Sequence, residues 1–364
     1  MAKKYITQEK LKKNTLADIF IYILKKTSTT RREIEYETGF SWGTVYSNVA
    51  LLIERGYITE EKSCPSGTVG RTTCLLKPTA NVYASIGLDI NASGFSCEIV
   101  SLDSSKLYHM EADFDAKTQS EVLSRAESLC QDAIEWCQQN GFQVFSLGIA
   151  IQGTVDGKTG ISSRFPAFPE WQCWNIKEHF AKRFDLPVYL GHDPRCMLLG
   201  EMSGSKKNNC VLVRVDEGIG MAVSLDGKIL NDNDRLELGH MIPDCDEFSS
   251  CSEKRCLEDF ASLRAIARNA GVDSNRILQS PEQYGTEIIA AGKHLSVALY
   301  NMYVLFRPQW IILTGKATQL PSYAESAFQL LDRTVVSLTA NPEISAAYGA
   351  AVESIKSAVK AFVI

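Results

Sequence analysis

The sequence predicts a small α+β winged helix-turn-helix domain followed by a larger α/β domain made of two lobes. The first observation is a helix-turn-helix pattern, followed by strand-like runs, between Thr30 and Leu76. The second is the alternation of short apolar strands and helices that begins at Ser85. The third is the return of that strand pattern at Cys210, which indicates two lobes of one topology with a cleft between them.

Domain boundaries follow from the residues that interrupt regular structure. Pro78 and Asn81 lie where the helical pattern of the N-terminal part gives way to strands. We therefore expect a winged-helix domain at residues 1–80 and a second domain at residues 81–364. Within the second domain, lobe one covers about 81–192 plus the C-terminal helix, and lobe two covers about 193–345.

The first domain is predicted to contain three helices and a two-stranded wing. Within residues 8–26, one apolar stripe predicts the first helix: Leu16, Ile19, Phe20, Ile23 and Leu24. The second helix, REIEYETG, ends at Gly39, and Ser41 offers its hydroxyl as the N-cap of the third, which stops at Gly56. The runs YITEE and TTCLL predict strands around the Ser/Gly-rich loop SCPSGTVGR.

The third helix has the pattern of a recognition helix. Its apolar residues Val45, Val49, Leu52 and Ile53 recur at helical spacing, so the opposite face of its first turns points outward. In a helix-turn-helix, the N-terminal end of this helix enters the DNA major groove, although an ordinary three-helix packing unit has the same apolar spacing. The predicted DNA-binding residues are, for base edges, Trp42, Tyr46 and Ser47; on or near phosphates, Ser41, Thr44 and Asn48; on the same outward face, Gly43; and at the wing tip, in the minor groove or on a phosphate, Arg71.

The charge distribution favours a DNA-binding N-terminal domain. The net charge is −5, yet residues 1–78 hold 13 Lys/Arg against 8 Asp/Glu, and the remainder holds 25 against 35. Nucleic-acid affinity should therefore be local and salt-dependent. No run approaches the roughly 18 apolar residues of a membrane span, and the N-terminus lacks a signal sequence, so we expect a cytoplasmic protein without a membrane partner. The 11 cysteines are then thiols or metal ligands rather than disulfides.

The second domain begins with a strand pattern that occurs twice. SIGLDI, FSCEIVSL and LYHMEADF predict strands, Ser120–Asn140 a helix, and FSLGIAI and PVYLG two more strands, with helices at IKEHFAKRF and DPRCMLLGEM. From Cys210, the run CVLVRVDEGIGMAVSLDGKIL aligns with SIGLDINASGFSCEIVSLDSSKLY, including the Ser-Leu-Asp triplets at 101–103 and 224–226. Further helices are predicted at about 256–269 and 284–306, a strand at Trp310–Leu313 and a last helix from about Tyr348.

Eight short motifs, in this order, resemble the ROK family of repressors, open reading frames and sugar kinases. They are Gly70-Arg71 at the wing, GLDINAS (87–93), LGIAIQGTVD (147–156), PVYLGHDPRCMLLGE (187–201), EGIG (217–220), LELGHM (236–241), CSEKRCLE (251–258) and YGAA (348–351). The resemblance covers almost the whole chain. It implies an actin-like ATPase (ribonuclease H-like) fold for the two-lobed domain, and family repressors carry the additional winged helix that this chain has.

The resemblance also implies how a kinase of this family is built, and this chain departs from it. Asp193 matches the family's catalytic base, where it could also cap the following helix. The first phosphate turn of the family, Asp-x-Gly-x-Thr, is here residues 89–93, Asp-Ile-Asn-Ala-Ser, and Asp216-Glu217 replaces Gly-Thr before Gly218 in the second. Carboxylates at about 4 Å from a phosphate repel it by a few kcal/mol each. We therefore expect no ATP binding and no enzymatic activity, and assign no catalytic residue.

A carbohydrate site is implied by the same resemblance. The residues that match the family's sugar ligands are Asp193, Glu237, His240 and Glu258. Carboxylates suit this role because each accepts hydrogen bonds from two hydroxyls, although a single Glu of this kind is more often a solvated surface residue. Gln152, Ala167 and His192 replace family residues, which indicates a different ligand or none.

A structural zinc site is implied as well, with one substitution. His240, Cys251 and Cys256 match three family ligands, while Ser249 replaces the first cysteine. Cys245, four residues earlier, is the candidate for the fourth thiolate of a tetrahedral Cys3His set.

Together, these patterns predict a bacterial-type transcription regulator. We expect a repressor that binds double-stranded operator DNA as a homodimer or homotetramer and responds to a sugar or sugar derivative. In this hypothesis, the ligand shifts the lobes and so the spacing of paired winged helices, which must match half-sites on the duplex. Two alternatives remain: a regulator whose sensing domain has lost its ligand and responds to a protein partner, and an ATP-dependent sugar kinase.

Overall fold

The structure, a computed structural model, divides into two compact units. It describes residues 8–63, 73–92, 94–113, 115–203, 205–230, 236–243, 256–339 and 345–362. The first unit comprises Met1–Gly204 with Ser345–Ile364, and the second comprises Ser205–Ile344. The winged helix and the first lobe therefore belong to one unit. The unit boundary differs from the lobe boundary expected near residue 193 by one helix, Asp193–Met202, which packs on the C-terminal helix of the first unit.

The N-terminal part has the three helices and two strands that the sequence predicts. They are α1 (Gln8–Lys26), α2 (Arg31–Thr38), α3 (Trp42–Glu54), β1 (Ile58–Ser63) and β2 (Thr73–Pro78). Ser41 caps α3 by accepting from the Thr44 N–H at 3.3 Å, and Gly39 ends α2 with a φ of 69° that favours glycine. Thr30 caps α2 in a capping box with Glu33. The loop between β1 and β2, including Arg71, lies outside the described residues.

The first lobe is a five-stranded mixed sheet with helices on both faces. Its elements up to residue 202 are β3 (Tyr83–Asn91), β4 (Gly94–Ser101), β5 (Lys106–Ala112), α4 (Gln119–Gln139), β6 (Gln143–Ile151), β7 (Thr154–Asp156), β8 (Ile161–Arg164), β9 (Trp174–Asn175), α5 (Ile176–Phe184), β10 (Val188–His192) and α6 (Asp193–Met202). The strand order is β10-β6-β3-β4-β5, and β7, β8 and β9 form a separate small sheet. The sequence missed these three strands because they are too short for a visible period.

The second unit is built around another five-stranded sheet. Its elements are β11 (Cys210–Val215), β12 (Ile219–Leu225), β13 (Lys228–Ile229), a 3-10 helix (Leu238–His240), α7 (Glu258–Ala261), α8 (Leu263–Ala270), α9 (Ser274–Gln279), a 3-10 helix (Pro281–Tyr284), α10 (Gly285–Phe306), β14 (Trp310–Thr314), a 3-10 helix (Lys316–Gln319), α11 (Tyr323–Ala327) and β15 (Val336–Leu338). The helix predicted at 256–269 is split at Ser262, whose hydroxyl caps α8 by accepting from the Ala265 N–H at 3.1 Å.

The two sheets share one topology, which confirms the internal repeat. The second sheet has the order β13-β12-β11-β14-β15 and corresponds strand by strand to β5-β4-β3-β6-β10. In each sheet, edge strand β5 or β13 is antiparallel to its neighbour, which is antiparallel to the central strand, and the last two strands run parallel to the central strand. Ser101 pairs with Ala84, and Ser224 pairs with Cys210, so the two Ser-Leu-Asp triplets occupy equivalent places.

The C-terminal helix α12 (Ala346–Phe362) packs on the first lobe at very close range. Where it crosses β6, a Cβ on Gly148 would lie 2.0 Å from the Ala350 carbonyl oxygen, so only glycine allows this approach. Beside it, the buried Ser146 hydroxyl is 2.8 Å from that of Ser354. Helix α12 also contacts α1, so it lies between the first lobe and the winged helix.

Candidate nucleic-acid interface and ligand residues

Helix α3 presents an aromatic surface at its N-terminal end. Val45, Val49 and Leu52 are buried, while Trp42 and Tyr46 are about half exposed. This division follows from the 3.6-residue period of the helix, which puts apolar residues on one face and leaves the first turns open on the other. The side chains predicted to contact base edges, Trp42, Tyr46 and Ser47, are therefore exposed to solvent.

The polar residues of the same turns are already engaged with the helix itself. The Thr44 hydroxyl lies 2.8 Å from that of Ser41. The Thr44 carbonyl accepts from the Ser47 hydroxyl at 3.1 Å and from the half-buried Asn48 amide at 2.7 Å. These bonds fix the rotamers of the side chains, and a contact of Asn48 with DNA would use its remaining amide hydrogen or its carbonyl oxygen.

Arg31 supports this surface, and sequence reasoning missed it. Its guanidinium makes two bonds to the Glu60 carboxylate, at 2.5 and 3.0 Å, and lies 5.5 Å from the centre of the Tyr46 ring. Hydrogen bonding to Arg31 lowers the pKa of Glu60. The ion pair links α2 to β1, and the contact with the Tyr46 ring links both to α3. A bidentate Arg–carboxylate contact fixes the orientation of the guanidinium. No local signal revealed it because the two partners are 29 residues apart.

The winged helix is attached to the first lobe by an aromatic cluster. The Tyr57 ring packs against the rings of Phe20, Tyr83 and Phe145, with centroids 5.1 to 5.8 Å apart. The Tyr83 hydroxyl donates to the Arg55 carbonyl at 3.1 Å. Because Phe20 and Tyr57 belong to the winged helix and Phe145 to β6, the two parts of the first unit share one hydrophobic core.

Residues 89–93 correspond to the first phosphate turn of the family, and side chains hydrogen-bond to its polar groups in this protein. The Asn91 amide donates to the Asp89 carboxylate at 2.9 Å. The backbone N–H of Ala92 donates to the Gln152 side-chain oxygen at 3.1 Å. An N–H that faces this turn is therefore already satisfied within the protein, and Gln152 is one of the residues that depart from the family pattern. The turn's last residue, Ser93, lies outside the described residues.

Asp193 is buried at the first position of α6. The N-cap of this helix is His192, whose Nε2 lies 3.1 Å from the Asp193 Oδ1, so Asp193 is not itself the cap. Its carboxylate lies in the first turn, where the helix dipole favours a negative charge. Helix α6 then packs on α12, and a Cβ on Gly349 would lie 1.7 Å from the Cys196 carbonyl oxygen.

In the second unit, residues 216–220 correspond to the second phosphate turn of the family, and both of its carboxylates are hydrogen-bonded within the protein. The Asp216 carboxylate accepts from the Arg214 Nε and from the Lys316 backbone N–H, both at 2.6 Å. Burial alone would raise the pKa of Asp216, but the Arg214 charge and the Lys316 N–H hold it below its usual value. Glu217 accepts from the Ser274 hydroxyl at 3.0 Å. The Asp216 carboxylate is therefore already hydrogen-bonded within the protein, and so is the Glu217 carboxylate.

Glu258 lies beside two glycines that sequence reasoning did not assign. Its Oε1 accepts from the Ile219 N–H at 2.7 Å, and a Cβ on Gly218 or on Gly239 would come within 2.8 Å of the Glu258 side chain. Both glycines therefore leave room for this carboxylate. Both glycines belong to motifs visible in the sequence, Glu-Gly-Ile-Gly and Glu-x-Gly-His, so these motifs could have indicated them.

The other two predicted ligands of the second unit flank the same turn. Glu237 and His240 are about half exposed, and the His240 Nε2 is 3.9 Å from the Glu237 carboxylate. Glu237 and His240 lie on either side of Leu238 and Gly239 in the chain, and Gly239 lies beside the Glu258 side chain, while Asp193 belongs to the first unit.

The metal ligands are only partly within the described residues. Cys256 is buried and His240 is exposed, whereas Cys245, Ser249 and Cys251 lie outside. Among the side chains that the structure describes, no three His, Cys, Asp or Glu residues cluster in a way that could hold a metal ion.

The chain joins a winged-helix domain to a duplicated actin-like domain. This combination defines a class of proteins in which the first domain is of a DNA-binding type and the second has the fold of sugar kinases. The chain belongs to the ROK family, whose sequence profile matches residues 85–358. It is 23% identical over 326 residues to the xylose repressor of Caldicellulosiruptor bescii, covering 81% of each chain. It is 24% identical over 315 residues to the DNA-binding transcriptional dual regulator NagC of Escherichia coli, covering 80% of this chain and 77% of that protein.

Solved structures show the same fold. The crystal structure of a ROK family transcriptional regulator, described as a homolog of the Escherichia coli MLC protein, aligns with a TM-score of 0.79 at 18% identity. The alignment covers 97% of this chain and 99% of that one, so it includes the winged helix. The predicted actin-like fold with an N-terminal winged helix is confirmed.

Proposed function

We propose that this protein is a sugar-responsive transcriptional repressor that acts on operator DNA in the cytoplasm. The observation that carries the proposal is the exposed aromatic end of α3, with Trp42 and Tyr46 facing solvent and Arg31 held over the Tyr46 ring. Large exposed aromatics are costly unless they have a partner, and this is the end of the helix that enters a major groove in proteins of this architecture. The repressor names of the relatives support the same conclusion.

DNA binding is tested by capture of genomic fragments with the purified full chain, followed by binding to the enriched duplex. We expect a roughly palindromic site whose affinity falls steeply with salt. Tyr46→Ala should weaken specific binding by about tenfold or more, since a base contact is worth on the order of 1–3 kcal/mol. Tyr108→Ala, which removes an exposed tyrosine of β5, is the matched control. Wild-type protein that shows no preference over random duplex at about 150 mM salt contradicts the proposal.

The effector is proposed to be a sugar or sugar derivative, and Asp193 and Glu258 are two of the residues that match the sugar ligands of the family. Helix α6 supplies a route from the first of these to the DNA. It begins at Asp193 and packs on α12 at Gly349, and Ile355 and Val359 of α12 share a core cluster with Leu16 of α1. We propose that a change at the start of α6 reaches the winged helix through these packed segments.

Thermal denaturation with a carbohydrate panel tests the effector. A ligand at 100 times its Kd stabilises the protein by about 2.7 kcal/mol, so at least one sugar should raise the melting temperature and change operator affinity. Asp193→Ala and Glu258→Ala should each remove both effects, and Glu170→Ala, at an exposed position, should remove neither. If no sugar shifts the melting temperature, the alternative of a regulator that has lost its ligand is favoured instead.

Phosphoryl transfer is proposed to be absent. Two observations support this view. The Ala92 N–H of the first turn already donates to Gln152. In the second turn, Asp216 adds a carboxylate, bound to the Lys316 N–H, that would repel a phosphate. With ATP, Mg²⁺ and a panel of hexoses, we expect no turnover above the Asp193→Ala variant. Turnover of about 1 s⁻¹ or faster, within the range of kinases, contradicts the proposal.

A structural zinc ion held by His240, Cys245, Cys251 and Cys256 remains part of the proposal. Thiolate and imidazole ligands are the set that tetrahedral zinc prefers. Metal analysis should find about one zinc per chain in the wild type, and Cys256→Ser and Cys245→Ser should each lose it. Zinc that survives Cys245→Ser would exclude that residue as the fourth ligand.

A further inference from the structure

The exposed surface of the first turns of α3 carries aromatic rings and no cation. Trp42 and Tyr46 are 46% and 57% exposed. They lie four residues apart, so they share one face of the helix and are separated by about 6 Å along its axis. The sequence of α3 contains no Lys, Arg or His, and its only charged residue is Glu54 at the last position. A DNA base that meets this surface therefore meets apolar rings.

Arg31 lies close to this surface but is not available to a base. Its side chain is only 15% exposed, and both of its terminal nitrogens are bonded to the Glu60 carboxylate. The guanidinium lies 5.5 Å from the centre of the Tyr46 ring, so it supports that ring within the protein. The exposed Arg32 belongs to α2, the helix that crosses the DNA backbone in this architecture, which places its charge near phosphates.

The polar groups of the same turns have few hydrogen-bond donors left. The Ser47 hydroxyl donates to the Thr44 carbonyl, which leaves its oxygen as an acceptor. The Asn48 amide donates one of its two hydrogens to the same carbonyl. Guanine presents two acceptors in the major groove, N7 and O6, and is read by a side chain that offers two donors, such as Arg or Lys. Neither Ser47 nor Asn48 offers two.

Gly43 lies beside Trp42, and packing within the protein does not require a glycine there. A Cβ at this position would meet no described residue within 4 Å outside its own stretch of helix. Glycine destabilises a helix relative to alanine, so the missing side chain brings no benefit to folding. It does lower the surface next to the aromatic rings, which allows an external surface to approach the helix closely.

We propose that α3 selects A·T base pairs through contacts of Trp42 and Tyr46 with the methyl groups of thymines, and that this helix reads no guanine. Among the four bases, only thymine places an apolar group, its 5-methyl, in the major groove. Aromatic rings bury such a group favourably because both surfaces leave water. The separation of about 6 Å along the helix compares with about 3.4 Å per base, so the two thymines should lie within about two base-pair steps. The inference rests on the proposed function, since it names the base chemistry that the same DNA-binding surface selects.

Replacement of thymine by uracil tests the proposal, because uracil lacks only the 5-methyl group and keeps every hydrogen-bonding group. The full-length wild type is titrated with the duplex that it captures from genomic DNA and with versions in which one thymine at a time is uracil. We expect uracil at two thymines of each half-site to raise the Kd by about three- to fivefold, the size expected for one methyl lost from an apolar contact. If no replacement raises the Kd by about twofold or more, the proposal is overturned.

Variants assign each methyl group to a side chain. Trp42→Ala and Tyr46→Ala should each lose one of the two uracil effects, because the ring that contacts that methyl is gone. Tyr46→Phe keeps the ring and should keep the effect, and Tyr108→Ala, on β5, is the matched control that should keep both. If Trp42→Ala and Tyr46→Ala weaken binding to the thymine and uracil duplexes equally and keep both uracil effects, the rings do not read the methyls and the proposal is overturned. The uracil series on the wild type does not depend on the folding of any variant.

Guanine replacement gives the complementary test. At guanines within two base pairs of the uracil-sensitive thymines, 7-deazaguanine, which lacks the N7 acceptor, should change the Kd less than about twofold, and a larger rise overturns the proposal. The outcome also separates this inference from the proposed function. If the wild type prefers no duplex over random DNA, the proposed function fails and the inference fails with it. If it prefers a duplex but uracil has no effect, the inference alone fails.

Discussion

Glu201 gives the sharpest quantitative prediction, because its side chain is buried and no described residue offers it an ion pair. It lies near the end of α6 with 5% of its surface exposed, and no described residue hydrogen-bonds to its Oε1. Burial raises the pKa of Glu201 to about 7 from the usual 4.5. The folded protein therefore prefers the neutral form of this side chain, and ionisation above that pH destabilises the fold.

The perturbation is Glu201→Gln, which keeps the size and removes the charge. The folded state binds the proton more tightly, so the stability associated with Glu201 is fully present below about pH 4.5 and is lost as the pH rises through about 7. The pKa difference from 4.5 to about 7 is about 2.5, and at about 1.36 kcal/mol per pKa unit this amounts to about 3.4 kcal/mol as a ceiling. At pH 8, the variant should be more stable than the wild type by up to that amount, and near pH 4.5 the two should agree.

Urea unfolding of both proteins from pH 5 to pH 8.5 measures this difference. The gap in unfolding free energy should open between pH 5 and 7 and become constant above pH 8, because ionisation of Glu201 is then complete. Glu170→Gln, at an exposed position, is the control for removing a surface charge. A variant that is less stable than the wild type at pH 8, or a gap that does not vary with pH, would refute the assignment of a buried, neutral Glu201.

Two further predictions concern the route from α6 to the DNA surface. Gly349→Ala should destabilise the first unit by roughly 3 kcal/mol or more in urea unfolding, because the new Cβ would lie 1.7 Å from the Cys196 carbonyl oxygen and overpacking outweighs the roughly 1 kcal/mol that alanine adds to a helix. Gly285→Ala, whose new Cβ meets no described residue within 4 Å outside its own stretch of helix, should be neutral or slightly stabilising. Glu60→Gln should cost about 1 kcal/mol at pH 7 and weaken operator binding several-fold, because Arg31 loses the carboxylate that holds it beside the recognition helix.

The controls for these changes come from matched positions. Glu61→Gln removes the neighbouring pair with Lys77, in which both side chains are more than a third exposed, and should change stability very little. The effect of Glu60→Gln should also disappear in acid, since the lowered pKa of Glu60 means that its contribution is lost as the pH falls through that value. Equal effects of Glu60→Gln and Glu61→Gln, or an unchanged stability of Gly349→Ala, would show that these contacts do not contribute as the geometry indicates.

Much of the fold was predictable because its signals are local. The stripe from Leu16 to Leu24 identified α1, Ser41 and Gly39 marked the ends of neighbouring helices, and the strands from Ser85 onward showed a clear apolar pattern. Predictions failed where the deciding contact was small or tertiary. Ser262 looked like part of one continuous helix, yet its hydroxyl caps a new one, and β7, β8 and β9 are too short to have a period.

The sequence by itself determined the order of the elements, the outward face of α3 and the internal repeat, since these depend on residue spacing along the chain. Only the tertiary structure revealed that Glu60 orients Arg31 over Tyr46, because ion pairs between distant residues leave no mark in local spacing. It likewise decided that Asp216 accepts from the Lys316 backbone N–H and that Gly349 lies against α6. Such contacts depend on where folded segments meet, which hydrophobic packing of the whole unit sets and no single stretch of residues encodes.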